Sequence, residues 1–300
     1  MARITRRILA SLRRVLFRAS HSLPIPRSLK RRLRVKGTIS IRIDDRHSFM
    51  MKSHGDHIEN DLFWRGYGRG WERMSLQVWG RLVSHSRIIM DVGAHSGVYA
   101  LAAKAINPEA TVAAFEPLDS SYRRLTANVK LNGFDIKAVA MAVSDRTGDG
   151  VLYHEPHGRQ ELASLERSAE SEVVETTVPT TRLDDYARAN ELVSIDLLKI
   201  DIEGHEVAAI RSLGKYLEEA KPAFLVEVLT EESGAAVWDI LRPLGYEAYR
   251  VSDTEGLKRE SGIGAKHGKE RNYLVCQPDT VAAAGLTALI FQSASEVTPD

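Results

Sequence analysis

The side chains most able to do chemistry begin at Met90-Asp91-Val92-Gly93-Ala94-His95-Ser96-Gly97, between the apolar pair Ile88-Ile89 and a helix-like stretch starting at Val98. A short apolar run, a glycine-punctuated turn and a helix make the first unit of a nucleotide-type α/β sheet. Gly93 lets the chain leave the strand through a turn that a Cβ would hinder, and Gly97 lets a ligand or strand approach the helix start. The spacing is D-x-G-x-x-x-G, not the G-x-G-x-x-G that cradles a pyrophosphate. It suits a smaller ligand with a cationic centre and an amino-acid tail, and S-adenosylmethionine fits that description.

Thr111-Val112-Ala113-Ala114-Phe115 reads as a buried strand ending at Glu116-Pro117. A carboxylate at the tip of the second strand can accept two hydrogen bonds from the vicinal diol of a ribose. Pro117 stops the strand, and Asp119 or Ser120 is placed to cap a helix over 122–131. Either motif alone has a plain structural explanation. In this order and at this spacing they specify a nucleoside site.

The elements that must position these groups follow from periodicity. Before them, Thr38 to Ile43 alternates like a strand, and residues 61–79 gather Phe63, Trp64, Tyr67, Trp71 and Trp79 among glycines. A small packed cap explains that cluster, with one or two rings at the mouth of a pocket as the functional version. After them, 136–143 reads as a third strand ending in Ser144-Asp145. Residues 151–154 and 173–178 read as a paired insertion, 196–204 as a fourth strand with its exit, and 205–219 as a helix. A fifth strand (223–229), a helix (232–244) and two C-terminal strands (246–251 and 272–277), joined by a basic, glycine-rich loop, complete the set. The expected fold is a doubly wound, seven-stranded, mostly parallel α/β sheet of Rossmann-like type with a C-terminal antiparallel hairpin. The expected domains are a basic arm (1–36), a cap (37–86), the sheet domain (87–278) and a tail (279–300).

Composition sets outer bounds. The 300-residue chain is 43% hydrophobic, enough for one large core or two modest ones. Its net charge of +1 is unevenly spread: residues 1–36 hold twelve Arg or Lys and no acid, which leaves 29 basic against 40 acidic residues elsewhere. One cysteine, Cys276, excludes an internal disulfide and fits a reducing compartment such as the cytoplasm. In the arm, Ile4, Ile8, Leu12, Val15 and Leu16 fall at helical spacing with arginines between them. Three readings stand: a solvated tail, a peripheral anchor on an anionic membrane surface, and an organelle transit peptide.

The ordered set Asp91 to Gly97, Phe115-Glu116-Pro117, Ala142-Val143-Ser144, Thr181-Arg182-Leu183-Asp184, Leu198 to Glu206 and Val226-Glu227 resembles the FkbM family of S-adenosylmethionine-dependent methyltransferases. Lys199-Ile200-Asp201-Ile202-Glu203-Gly204-His205-Glu206 is its most specific block. The resemblance implies the class I methyltransferase fold and O-methylation of a hydroxyl on a sugar, glycan or secondary metabolite. It implies that Asp91 holds the turn and reaches toward the methionine ammonium, and that Gly93 and Gly97 let the cofactor lie on the backbone. Glu116 would bind the ribose, Ser144 and Asp145 would flank the adenine, and Asp201 and Glu203 would face the transferred methyl. The family usually has Asn where this chain has His95, a residue that can also donate and accept hydrogen bonds.

A sulfonium methyl is already electrophilic, so alignment and removal of the acceptor proton remain. Glu203, His205 and Glu227 are the candidate bases. Glu203 is favoured because it sits in the strand's exit turn, where partial desolvation raises basicity. A capping role explains His205, and a structural acceptor role explains Glu227. The pairs His54/His57 and His154/His157 lack a third ligand, so no metal is expected. The acidic body and the absence of an aromatic-basic motif speak against nucleic acid. A nicotinamide-dependent oxidoreductase and a non-catalytic nucleoside-binding module tethered by the arm are the alternatives.

Overall fold

The computed structural model describes residues 34–154, 164–166, 174–264 and 270–291. Nearly all of the basic arm, His157, and residues 265–269 of the basic glycine-rich loop near the C-terminus lie outside the described residues.

The chain opens with a hairpin, β1 (Gly37–Arg42) and β2 (Ser48–Ser53). Helices α1 (His57–Arg65) and α2 (Arg73–Val83) follow. Then come β3 (Ile88–Val92), α3 (Val98–Ile106), β4 (Thr111–Phe115), α4 (Asp119–Asn132) and β5 (Ile136–Val139). A separate three-stranded sheet is built from β6 (Ala142–Val143), β7 (Gly148–His154) and β8 (Val174–Thr181). The chain then runs through α5 (Leu183–Ala189), β9 (Leu197–Ile200), α6 (Glu206–Arg211), α7 (Lys215–Glu219), β10 (Ala223–Glu227) and α8 (Glu231–Leu241). It ends with β11 (Glu247–Ser252), β12 (Gly256–Glu260), β13 (Asn272–Cys276) and α9 (Pro278–Ala283).

The main sheet has the order β12-β11-β13-β10-β9-β3-β4-β5. Strands β10, β9, β3, β4 and β5 are parallel, and β13, β11 and β12 join by antiparallel pairing. The class is the one expected, a doubly wound α/β sheet. It has eight strands rather than seven, because the connection between β11 and β13 contributes the edge strand β12.

Side chains along the central strands alternate between two cores, as the period of two requires. Ile89, Leu197 and Leu225 point into the layer of α2, α3 and the N-terminal hairpin, whereas Met90, Leu198 and Val226 point into the layer of α5, α6 and α8. The same parity turns Asp91, Lys199 and Glu227 toward the α3 side at the carboxyl ends of their strands. The chain winds outward from β3 through β4 and β5, then crosses back to β9. This makes the β3/β9 boundary the switch point where a crevice opens.

Three boundaries differ from expectation. The stretch 136–143 is two strands in two sheets, because the chain turns at Ala140-Met141 and Val143 pairs with Thr181 instead of continuing along β4. Helix α4 begins at Asp119, with Leu118 at its N-cap and no side-chain cap bond. The helix expected over 205–219 is broken at Gly214, whose φ of +52° ends one segment and starts the next. No described helix is long and apolar enough to cross a membrane.

Candidate active site

A cavity of about 280 Å³ opens at the carboxyl ends of β3, β4, β9 and β10. Gly93, with φ +83°, makes the turn out of β3 against the end of β9, where a Cβ would run into the carbonyl oxygen of Asp201. Gly97 also has positive φ, at +92°, but what comes close to it is Leu125 of α4, 2.6 Å from where a Cβ would stand. The missing Cβ there makes room for helix packing, and Gly97 is not among the residues that line the cavity. Asn128 of α4 steadies the same turn by donating to the Ser96 carbonyl at 2.9 Å.

Asp91 is 1% exposed, and its Oδ2 accepts the Ala100 amide at 2.9 Å in the first turn of α3. It therefore holds the turn while lining the cavity. Burial pushes its pKa up to about 7 against the opposing pull of Lys199. Glu116 lies on the neighbouring strand end. Its Oε2 accepts the His95 amide and its Oε1 the Leu118 amide, each at 2.8 Å. These bonds fix the carboxylate plane and leave lone pairs toward the cavity. Burial also raises Glu116 to about 7. His95 takes φ +48°, a left-handed conformation for which His, like Asn, is enriched among non-glycine residues. Burial, reinforced by Arg124, lowers its imidazole to about 4, so the ring is neutral at pH 7.

The opposite wall is acidic around one lysine. Lys199 is 1% exposed, and its Nζ sits 3.1 Å from Asp201 Oδ2 and 5.2 Å from the centre of the Tyr99 ring. Burial pulls its pKa down, but Asp201, Glu72 and Glu227 outweigh that and hold it above the usual lysine value. Glu72, at φ +43° just before α2, accepts the Tyr99 hydroxyl, and burial raises it to about 7. Burial and Asp201 also raise Glu227. One oxygen each from Glu72, Asp201 and Glu227 lies within 4.8 Å of the others, the one such grouping among the described residues. The Lys199 ammonium already supplies positive charge to it.

Glu203 stands in the exit turn of β9 with φ +53°, followed by Gly204 at +106°. Burial, then the charges of Asp201 and Glu206, pushes its carboxyl up to about 7. His205 also lines the cavity, with both ring nitrogens engaged: Nδ1 with Glu166 at 2.9 Å and Nε2 with Ser144 at 3.0 Å.

The structure thus brings Asp91, Gly93, His95, Glu116, Asp201, Glu203, His205 and Glu227 to one cavity. Met141, Ala142 and Val143 form its wall beyond β5, while Ser144 turns to His205 and to Asp145. The break after β5 moves Ser144 and Asp145 off the end of the third strand, where an adenine-flanking role had placed them. Glu72, Tyr99, Lys199, Ser164 and Leu165 are additional lining residues. A lysine inside the apolar run Leu197-Leu198-Lys199-Ile200 was the one available sequence signal among them. Of the aromatic cluster, Trp71 lines the cavity, whereas Trp79 is fully buried and donates to the Tyr99 carbonyl.

The family model for the FkbM methyltransferase domain matches residues 91–248. The chain is 29% identical over 154 residues to methyltransferase sdnD of Sordaria araneosa, covering 42% of this chain and 60% of that one. It is 25% identical over 131 residues to the hexuronic acid methyltransferase AglP of Haloferax volcanii, covering 44% and 52%. The chain thus spans between half and two thirds of the length of these relatives. Among solved structures, methyltransferase FkbM of Methylobacillus flagellatus aligns over 64% of this chain and 43% of its own, with 14% identity and a TM-score of 0.39. With its family signature laid over the strand ends that build the cavity, the chain belongs to the FkbM methyltransferase family.

Proposed function

We propose that the chain transfers a methyl group from S-adenosylmethionine to a hydroxyl of a sugar, glycan or secondary metabolite. The observation that carries this is the charge of the cavity. Glu72, Asp91, Glu116, Asp201, Glu203 and Glu227 face Lys199 there, beside the glycine turn out of β3. S-adenosylmethionine has a net positive charge, a vicinal diol and an ammonium, and these residues suit all three. A nicotinamide dinucleotide would bring a pyrophosphate into an acid-lined site whose Ala100 amide, at the helix start, is already taken by Asp91. Like charges in a partly buried site cost several kcal/mol, roughly 4 at 4 Å with an effective dielectric of 20.

When bound, the cofactor supplies a methyl on a sulfonium, a ready electrophile. Glu116 would hold the ribose hydroxyls through the oxygen lone pairs its two amide bonds leave free. Asp91 would set the turn and carry negative charge toward the methionine ammonium. Glu203, raised to about 7 by burial, is matched to accept the acceptor hydroxyl's proton near neutral pH. The hydroxyl rests on this base, and the sugar class on the sugar acid in the name of one relative, AglP. Calorimetry with S-adenosylmethionine, S-adenosylhomocysteine and NAD tests the reading. Binding of the first two is expected, and binding of NAD alone would overturn it.

A further inference from the structure

We propose that Ser164, from the connection between β7 and β8, is a positioning residue that clamps the Glu203 turn over the cavity. The inference rests on the reading that Glu203 faces the transferred methyl. Glu203 has a left-handed backbone, which a side chain with a Cβ adopts only when its surroundings enforce it. Two bonds enforce it here. The Ser164 hydroxyl donates to the Glu203 carbonyl at 2.7 Å, and the next amide, Gly204 N–H, donates to Glu206 Oε1 at 2.8 Å. The first bond arrives from an insertion far away in sequence; the second is local.

The clamp is itself anchored. Ser164 forms a two-way backbone bridge to Tyr153 at the end of β7, with N···O distances of 2.7 and 2.9 Å. Leu165 packs against the small core of Leu118, Ala142, Leu152 and Val178. Glu166 pairs with His205, which in turn meets Ser144. The three residues 164–166 therefore tie the three-stranded sheet to the exit loop of β9, and Ser164 and Leu165 also form cavity wall. A hydroxyl held this way fixes the peptide that carries Glu203 and hence the direction of its carboxylate. Misplacement of a reacting group by about 1 Å can cost on the order of a hundredfold in rate.

The test needs no acceptor. Sinefungin carries an amine where S-adenosylmethionine carries its sulfonium methyl, and S-adenosylhomocysteine has neither charge there. A correctly aimed Glu203 carboxylate raises the affinity for sinefungin relative to S-adenosylhomocysteine. Calorimetry at pH 8 would give this ratio for the full chain and for Glu203→Gln, Ser164→Ala and Ser164→Thr. The expected result is a wild-type preference about tenfold or more, lost in Glu203→Gln, cut several-fold in Ser164→Ala and kept in Ser164→Thr, with S-adenosylhomocysteine affinity unchanged throughout. Unchanged binding of that ligand also shows that each variant is folded. If Glu203→Gln loses the preference while Ser164→Ala keeps it, the clamp is refuted and the role of Glu203 stands. If Glu203→Gln keeps the preference, the placement of Glu203 falls and the clamp falls with it.

Discussion

Replacing Lys199 with methionine tests the electrostatic account of the site more sharply than removal of any single acid. The substitution keeps most of the side chain's volume and removes the buried cation that lines the cavity. Lys199 is 1% exposed and lies 3.1 Å from Asp201, with Glu72 and Glu227 also acting on it. Breaking a buried pair typically costs 3–5 kcal/mol because the partner is left uncompensated. The Asp201 side chain is 28% exposed, so solvent screens part of that, and about 3 kcal/mol is the appropriate figure at pH 8. A domain of this size shifts its melting temperature by roughly 2–4 °C per kcal/mol, which gives a drop of about 6–12 °C. The drop must depend on pH in a definite direction. Glu72 sits at about 7, above its ordinary value of 4.5, and Glu227 is raised as well. Carboxyls raised in the folded state stabilise it below their unfolded value and lose that contribution as pH rises through the folded value. Without Lys199 their folded values climb further, so the loss is deepest at pH 8. At pH 5.5 both groups hold protons, so the deficit should shrink toward the share owed to Asp201. Thermal melts of the wild type and Lys199→Met at the two pH values decide the matter. An equal drop at both would refute the idea that the lysine balances these acids.

Glu116→Ala should weaken S-adenosylhomocysteine binding by roughly 10²-fold or more in calorimetry, from about 1.5–3 kcal/mol per charge-assisted bond to the ribose. Gly93→Ala should destabilise the protein severely and abolish binding, since its φ is +83° and the added carbon meets the Asp201 carbonyl, whereas Gly133→Ala, with open space around it, should leave binding intact. His95→Asn should keep the melting temperature within a degree or two and His95→Val should lower it by several, because a β-branched residue is an outlier at φ +48°. Affinity for S-adenosylmethionine should rise between pH 5.5 and 8 as Asp91, Glu116 and Glu203, each raised to about 7, lose protons. Proton release on binding, seen as buffer-dependent heats near pH 7, is the matching signature.

The residues legible in the sequence were those whose partners are close along the chain or whose type is dictated by the backbone. Asp91 and Gly93 announce a strand-to-helix turn, Glu116 a strand end, and Glu203-Gly204 an exit loop, each within a short window. The cavity's other wall depends on pairings that no window contains. Lys199 meets Asp91 only because β3 and β9 are adjacent and in that register, and Glu227 joins them only through the β9/β10 pairing. Glu72 reaches the site through Tyr99, a contact created by packing α2 against α3. The apolar stretch 136–143 looked continuous because apolar residues run through both of its short strands, though these lie in different sheets. Periodicity reports burial without naming the partner.

Those same long-range pairings explain why the site can hold so much like charge. Asp91 and Glu116 each spend hydrogen-bonding capacity on backbone amides of the turn, so their charge is solvated by the fold itself. Asp201 leans on Lys199, and Glu72 on the Tyr99 hydroxyl. What those contacts leave uncompensated keeps Glu72, Asp91, Glu116 and Glu203 near 7, ready to ionise when a cation arrives. The gain from a positively charged cofactor is therefore larger than its direct contacts, because it also relieves repulsion among buried acids. Protonated acids and acids held charged around a bound cation are two states of one network. Ligand-induced stabilisation should accordingly be greater at pH 8 than at pH 5.5, and Lys199→Met should widen that difference.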